Sequence, residues 1–211
     1  TDHWKSLELL KTEYIKKYKT FCLLHSKEIN HEIDSSLNKR LIKSTDKADY
    51  IIANSNFTKN LAIKVGIDSS KINVIFPGID KPEIIEENAK NEAKKIFGES
   101  FPKIITVARL DKRKGHDKIL MVIKNLKNKF PNLKYLSIGD GEEKNNLKKL
   151  CSELSIEENV IFLQNIEEDL KLALIETSNL FLMPTRIYKK SVEGFGIAYV
   201  EAAQYGIASL G

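Results

Sequence analysis

The sequence predicts an α/β protein with two domains, each built on a parallel sheet covered by helices. Short β-rich apolar runs alternate along the whole chain with longer amphipathic segments, which is the pattern of repeated strand–helix units. Most of these runs are apolar throughout, as expected of strands buried on both faces. The turn-forming stretch Pro77-Gly78-Ile79-Asp80-Lys81-Pro82 separates two such series, near residues 79–87. We therefore predict one domain over residues 1–80 and a second over residues 81–211.

The predicted elements follow in order along the chain. Strands are expected at 21–24, 50–53, 73–76, 104–108, 135–138, 160–163, 180–183 and 207–210. Helices are expected near 5–18, 33–46, 56–65, 85–97, 116–128, 142–153, 167–176 and 197–205. Ser55 or Asn56 gives a start signal for the third helix, and Asp117 one for the fifth. The sequence begins in mid-pattern and stops just after an apolar run, so we expect a fragment with its first domain only partly present.

Composition narrows the classes of function. Apolar residues make up 42% and charged residues 30%, and no apolar run approaches the ~18 residues of a membrane span. The net charge of +5 comes from dispersed lysines without a basic stripe, which argues against nucleic-acid binding. Cys22 and Cys151 are too few for a zinc site or disulfide framework, so we expect both to be buried in a reducing cytoplasm. A peripheral contact with the inner face of the membrane stays open.

Arginine is used sparingly. Lysines outnumber arginines by thirty to four, yet Arg109, Arg113 and Arg186 all lie in predicted loops that follow strands. Where lysine is the default cation, arginine indicates a need for planar, bidentate donors.

Two loops of the second domain are candidate phosphate sites, because ligands of doubly wound sheets bind beyond the carboxyl ends of the strands. The first, Arg109-Leu110-Asp111-Lys112-Arg113-Lys114-Gly115, places Arg109 at a strand tip and Lys114 just before a helix, where a diphosphate would be favoured. A solvated basic loop is the equal alternative. The second, Gly139-Asp140-Gly141-Glu142, permits close backbone approach but is more often only a tight connection.

The segment from Glu193 to Glu201 is the most informative. We expect a loop and a helix N-terminus that hold two carboxylates about 12 Å apart along the helix, a distance comparable to a sugar, diphosphate and ribose. Free helix N–H groups between them suit phosphates. An acidic first turn would explain Glu193 alone, but not Glu201 among Val200, Ala202 and Ala203, where a carboxylate is costly unless hydrogen-bonded.

These motifs, in this order, resemble the retaining glycosyltransferases of family 4. The set is R-x-x-x-x-K-G, G-D-G, a strand ending in Met-Pro, and E-G-F-G-x-x-x-x-E, and the resemblance covers most of the chain. It implies a GT-B fold, in which two Rossmann-like domains face a cleft for a nucleotide-sugar donor. The family's glycine-rich N-domain loop is not in the sequence, so we expect this piece alone to be inactive.

The resemblance also implies roles for single residues. Arg109 and Lys114 would hold the donor diphosphate, Glu193 would lie against the transferred sugar, and Glu201 would bind the ribose. His25 would occupy the place of an N-domain histidine that faces the donor sugar, with a purely local role as the alternative. The catalytic residues would thus be Arg109, Lys114, Glu193 and His25, and the substrate-binding residues Gly139, Gln164, Asn165, Ile166, Gly194, Phe195, Gly196 and Glu201.

The expected reaction is transfer of a hexosyl unit from a nucleotide-diphosphate sugar with retention at the anomeric carbon. The cations and helix N–H groups would stabilise the leaving diphosphate, so we expect neither a metal nor another cofactor. The acceptor stays open among lipid, polysaccharide and small molecules, and the oligomeric state is not indicated. The alternatives are an epimerase or phosphorylase of the same fold, or a non-catalytic nucleotide-sugar-binding protein.

Overall fold

The chain forms two compact units. A computed structural model describes residues 1–80 and 84–211, and the predicted turn at Lys81-Pro82 lies outside them. Unit 1 comprises Thr1–Gly78 and Ile187–Gly196, and unit 2 comprises Ile79–Arg186 and Ile197–Gly211. The sequence predicts one domain over 81–211, whereas residues 187–196 group with unit 1 because their contacts go to residues of that unit.

Unit 1 is built around a parallel sheet. Its elements are α1 (Trp4–Leu9), α2 (Thr12–Lys17), β1 (Phe21–Leu24), α3 (Ser36–Thr45), β2 (Tyr50–Ala53), α4 (Asn56–Lys64) and β3 (Ile72–Val74). The strands pair in the order β1-β2-β3. The side chain of Ser55 accepts a hydrogen bond from the Thr58 N–H and so begins α4, as the sequence predicts.

Two predicted elements of unit 1 differ from the structure. The single helix expected over 5–18 is divided into α1 and α2, because Leu10 adopts an extended backbone and packs against the apolar cluster that contains Trp4 and Leu7. The third strand ends at Val74, and the next two apolar side chains, Ile75 and Phe76, are exposed.

Unit 2 is a helix-covered parallel sheet. Its elements are α5 (Glu87–Phe97), β4 (Lys103–Val107), α6 (His116–Lys127), β5 (Lys134–Ile138), α7 (Lys144–Glu153), β6 (Val160–Leu163), α8 (Glu168–Thr177), β7 (Leu180–Leu182), α9 (Ile197–Gln204) and β8 (Ser209–Leu210). Neighbours in β4 face opposite clusters: Ile104 packs with Leu120 of α6, and Ile105 packs with Phe97 of α5. Burial on both faces explains why this strand is apolar throughout.

The strand order of unit 2 reverses at one point. The five described strands pair in parallel in the order β6-β5-β4-β7-β8, with Ile105 opposite both Leu136 and Phe181. The chain adds strands outward on one side of β4 and then returns to add β7 and β8 on its other side. This is the arrangement of doubly wound sheets, whose ligands bind where the order reverses, outside the carboxyl ends of the strands. The predicted α/β fold of two Rossmann-like domains with parallel sheets is confirmed.

Cys22 and Cys151 are buried and unpaired, as the sequence predicts. Within residues 1–80 and 84–211, no helix has the length and apolar character needed to cross a membrane.

Replacement of Ile105 by alanine tests the burial of β4. Ile105 is fully buried in the central strand, so we expect Ile105→Ala to lower the free energy of unfolding by about 2–5 kcal/mol. Ile84→Ala is the matched control, because the same atoms are removed from a side chain that is 97% exposed, and we expect a change within about 0.5 kcal/mol. Urea denaturation measures both, and equal losses would contradict the packing described here.

Candidate functional site

The loop after β4 is held to the neighbouring strand end by its backbone. The Ala108 N–H donates to the Ile138 carbonyl at 3.0 Å, and the Leu110 N–H donates to the Asp140 carbonyl at 3.0 Å. Between them the Arg109 side chain is 71% exposed and forms an ion pair with Asp111 at 3.3 Å. A fixed backbone therefore carries an accessible guanidinium at the carboxyl end of the central strand.

Lys114 lies on a short 3₁₀ turn just before α6. The Asp111 carboxylate accepts a hydrogen bond from the Lys114 N–H at 3.2 Å, and the Lys114 ammonium lies 3.5 Å from Met183 Sδ. Gly115 follows with φ of 75°, and a Cβ there would lie 2.2 Å from the Pro184 carbonyl oxygen. Glycine is thus required where the loops after β4 and β7 meet, next to the reversal of strand order.

Arg186, in the loop between β7 and α9, makes further contacts with the loop after β4 and with α6. Its N–H donates to the Arg113 carbonyl at 2.8 Å, and its guanidinium forms an ion pair with Asp117 at 3.0 Å. A bidentate arginine contact occurs in unit 1, where Arg40 donates to both carboxylate oxygens of Glu8, at 3.0 and 2.8 Å.

Gly139 and Gly141 support the Arg109 loop. A Cβ on Gly139 would lie 2.1 Å from the Ala108 carbonyl oxygen, and a Cβ on Gly141 would lie 2.4 Å from the Leu110 carbonyl oxygen. Both glycines are therefore explained by close approach of two strand-end loops. Tight packing accounts for the Gly-Asp-Gly motif, and the role of Gly139 in substrate binding stays a prediction.

Gln164, Asn165 and Ile166 directly follow β6 at the same edge of the sheet. The Leu163 carbonyl accepts a hydrogen bond from the Gly139 N–H at 2.9 Å, which ties this loop to the Gly139 loop. Asn165 has φ of 52°, and the Gln164 side chain accepts a hydrogen bond from Lys144. The loops after β4, β5, β6 and β7 thus lie side by side.

Glu201 has a protein partner, which the sequence did not predict. Its carboxylate lies 3.3 Å from the ammonium of Lys171, which also pairs with Glu168 at 2.6 Å. Burial alone would lower the pKa of Lys171, but its hydrogen bonds and charge interactions with the two glutamates raise it above its ordinary value. The cost of a carboxylate in this helix is therefore offset within unit 2, and burial alone does not require a ribose. The Glu201 side chain keeps 25% exposure.

The Glu193 segment is not the first turn of a helix. Helix α9 begins at Ile197, so Glu193 lies outside it and the helical rise behind the expected separation of about 12 Å does not apply. Glu193, Gly194, Phe195 and Gly196 instead belong to unit 1, where the Phe195 ring lies 5.9 Å from that of Phe76.

Unit 1 brings this segment to the end of β1. His25 directly follows the strand, and its N–H donates to a Glu28 carboxylate oxygen at 2.6 Å. A Cβ on Gly194 would lie 2.4 Å from the His25 carbonyl oxygen, so only glycine fits there. Two residues that the resemblance implies for the site, His25 and Gly194, are therefore neighbours in unit 1.

Comparison with protein families decides the family of the chain. Residues 86–210, more than half of the chain, match the model described as Glycosyl transferases group 1. The chain belongs to the glycosyl transferases group 1 family. Residues 3–82 match the model described as Glycosyltransferase Family 4, in agreement with the resemblance drawn from the motifs.

Individual relatives of the chain are distant. It is 25% identical over 187 residues to a GDP-mannose-dependent alpha-(1-6)-phosphatidylinositol monomannoside mannosyltransferase of Mycolicibacterium smegmatis, covering 87% of this chain and 49% of the relative. It is 31% identical over 143 residues to the O-antigen biosynthesis glycosyltransferase WclY of Escherichia coli, covering 67% of this chain and 37% of the relative. The crystal structure of HepE from Anabaena in complex with UDP has a TM-score of 0.76 at 19% identity, covering 92% of this chain and 53% of that one. The chain thus spans about half the length of the proteins it matches, or less.

His116, which sequence reasoning missed, holds the backbone of the Arg109 loop from the buried side. Its side chain is buried at the start of α6, and its Nε2 lies 3.2 Å from the Arg109 carbonyl oxygen. Its Nδ1 lies 3.1 Å from the Tyr135 hydroxyl and 3.2 Å from the Ser137 hydroxyl. These contacts join α6 and β5 to the backbone of Arg109.

Two backbone carbonyls accept hydrogen bonds from this buried network, and they determine which groups carry the protons. A carbonyl only accepts, so Nε2 carries the proton and donates to Arg109, while Thr106 donates to the Leu182 carbonyl. The Tyr135 hydroxyl then donates to Thr106 at 3.0 Å, which leaves the Ser137 hydroxyl to donate to Nδ1. Nε2 therefore carries a proton, and burial lowers the pKa of His116 below its ordinary value, which favours the neutral imidazole with Nδ1 as an acceptor.

A sequence signal for this network exists in the strands. Thr106, Tyr135 and Ser137 are buried polar residues inside otherwise apolar strands, where each hydroxyl needs a partner. Lys171 gives a weaker signal, since it lies on a helix in which most other side chains are apolar or acidic.

Within the two described ranges, no group of three His, Cys, Asp or Glu side chains could hold a metal ion. The individual site assignments and the expected metal independence remain predictions.

The neutral state of His116 predicts a pH dependence of stability. Because its pKa is lowered by folding, the unfolded chain binds more protons below about pH 6.5, and stability falls as the pH decreases toward the folded-state pKa. One such group changes the free energy of unfolding by at most about 1.4 kcal/mol per pH unit. The pKa of His31 is also lowered, chiefly by burial, so part of the pH dependence of stability should persist in a His116→Gln variant.

We expect the free energy of unfolding to fall less between pH 7.5 and 5.5 in His116→Gln than in the wild type. Asn38→Ala is the matched control, because it removes a buried, hydrogen-bonded side chain that does not titrate and should leave the wild-type slope unchanged. Urea titrations at several pH values measure both slopes. Identical slopes for all three proteins would contradict a buried neutral imidazole.

Proposed function

We propose that the protein containing this chain transfers a glycosyl unit from a nucleotide-diphosphate sugar. The observation that carries the proposal is the placement of Arg109 beside the reversal of strand order in unit 2, in a chain of the glycosyl transferases group 1 family. Open parallel sheets bind ligands at that place, and an exposed guanidinium on a fixed backbone suits a diphosphate.

The proposed roles in unit 2 follow the chemistry of bond cleavage. Negative charge grows on the diphosphate as the glycosidic bond breaks, and Arg109 and Lys114 would stabilise it from the loop after β4. The exposed main chain of the loop after β6 would contact the base, and Glu201 the ribose. Because two cations and the N–H groups at the start of α6 supply the positive charge, we propose that transfer needs no metal, so activity should survive chelation.

In unit 1 we propose that Glu193, Phe195, Gly196 and His25 contact the transferred sugar. This assignment rests on the motif resemblance and on the contact of His25 with Gly194 described above. We further propose a hexosyl donor and retention at the anomeric carbon, which also rest on the resemblance. Product analysis by NMR would test retention.

The names of the relatives support a proposal for donor and acceptor class. The mannosyltransferase is named for GDP-mannose and a phosphatidylinositol glycolipid, WclY for O-antigen biosynthesis, and HepE was crystallised with UDP. We propose an acceptor of the cell-envelope glycan class, lipid-linked or polysaccharide, reached by a peripheral contact with the membrane. GDP-mannose and UDP-glucose are the first donors to compare.

Removal of Arg109 tests the diphosphate site. Charge-assisted hydrogen bonds contribute about 1.5–3 kcal/mol, so we expect Arg109→Ala to weaken nucleotide-diphosphate binding by roughly 10- to 150-fold in calorimetry with UDP and GDP. Arg40→Ala, which removes the arginine paired with Glu8 in unit 1, should bind as the wild type does. Unchanged binding by Arg109→Ala would rule out its assignment.

Glu168 provides a matched control for a test of Glu201. Each glutamate contributes one carboxylate to Lys171, but only Glu201 is assigned to the ribose. We expect Glu201→Gln to weaken binding of the nucleotide by about tenfold, and Glu168→Gln to leave it unchanged. If the two variants bind alike, the role of Glu201 is the ion pair with Lys171 and not the ribose.

A further inference from the structure

The Ser55 hydroxyl contacts three groups: the Thr58 N–H, the Gly194 carbonyl and, at 3.1 Å, the Thr58 hydroxyl. Its hydroxyl oxygen accepts from the Thr58 N–H at 3.0 Å, which caps α4. The same hydroxyl donates to the Gly194 carbonyl at 2.5 Å, across 139 positions of sequence. A carbonyl only accepts, so the serine proton must point at Gly194. The cap of one helix thereby holds the Glu-Gly-Phe-Gly segment.

The hydroxyls and amide around Ser55 form a closed network. Thr58 donates to the Asn54 side-chain oxygen at 2.6 Å, and the Ser26 hydroxyl contacts the Thr58 hydroxyl. With the proton of Thr58 engaged at Asn54, Ser26 donates to Thr58. Ser26 and Thr58 are fully buried, so few alternative hydrogen-bond partners are available and the network is fixed.

Other contacts of unit 1 hold the same segment along its length. The Asn30 side chain donates to the Lys190 carbonyl at 3.0 Å, Val192 is 7% exposed, and the Phe195 ring lies against Phe76. Gly194 itself has space only for hydrogen, because the His25 carbonyl, the Ser26 hydroxyl and the Asn54 amide surround it. The segment is thus seated in unit 1 at four successive points, with Ser55 at the residue next to Glu193.

We propose that Ser55 is a positioning residue for transfer: its hydrogen bond to Gly194 fixes the backbone that aims Glu193 and Phe195 at the sugar. The inference rests on the proposed function, because it requires Glu193 to face the transferred sugar. Small displacements of positioning groups reduce rates strongly, so the effect should appear in kcat. Binding of the nucleotide, assigned to residues of unit 2, should not change.

Substitutions at Ser55 separate the cap of α4 from the contact with Gly194. Aspartate is a good helix cap but cannot donate to a carbonyl, so Ser55→Asp keeps the cap and removes the contact with Gly194. Threonine retains both a cap and a donor. Ser35→Ala is the control for loss of a cap alone, since Ser35 caps α3 in the same unit.

In the full-length protein we expect Ser55→Asp to lower kcat at least about tenfold, with unchanged affinity for the nucleotide diphosphate. Hydrogen exchange in a peptide covering residues 187–196 should become faster in this variant. Ser55→Thr should restore both properties, and Ser35→Ala should retain wild-type kcat and exchange in that peptide while losing some stability.

The possible results are distinguishable. If the wild type transfers sugar and Ser55→Asp does so equally well, or if its nucleotide affinity falls in step with kcat, the positioning role is overturned. Unchanged exchange over residues 187–196 in Ser55→Asp also overturns it, whether or not the wild type is active. A wild type that neither binds nor transfers any nucleotide sugar instead overturns the proposed function.

Discussion

Parallel pairing around β4 determines where the loops of unit 2 lie. In a parallel sheet all carboxyl ends meet at one edge, so the residues that follow β4, β5, β6 and β7 become neighbours although they are far apart in sequence. Pairing of β7 on the other side of β4 then creates the point where the strand order reverses. Arg109 lies there because it follows the central strand by two residues.

The polar groups of unit 2 are arranged in two layers around that point. The exposed layer carries Arg109 at the strand end. Beneath it, His116, Ser137, Tyr135 and Thr106 form a buried chain of hydrogen bonds that ends on the backbone of Arg109 and of Leu182. These buried bonds fix two strand ends at once, so the exposed Arg109 side chain is carried on a rigid backbone.

Much of the fold was predictable from the sequence because local patterns determine it. Each described strand overlaps an apolar run that predicts it, and the signal is most continuous in β4 and β5, which are buried on both faces. Ser55 caps α4 as its residue type suggests. The division between α1 and α2 was not predictable, because it depends on Leu10 packing into a core assembled from distant residues.

The candidate site was less predictable from the sequence than the fold. The candidate cations and glycines could be found from their positions after strands. The partner of Glu201 could not, since Lys171 comes from another helix, 30 residues away. The placement of Glu193 in unit 1 could not be predicted either, because a continuous motif gives no indication that its first half packs with one unit and its second half with another.

The seating of residues 187–196 in unit 1 also bears on the order in which the chain folds. The strands and helices of unit 1 come from the first 74 residues and can form early during synthesis. Gly194 reaches Ser55 only after another 139 residues have been made, and closing so long a loop is slow compared with local steps. The segment that carries Glu193 is therefore among the last parts of unit 1 to become ordered, and it can do so only after Ile79–Arg186 of unit 2 has been synthesised.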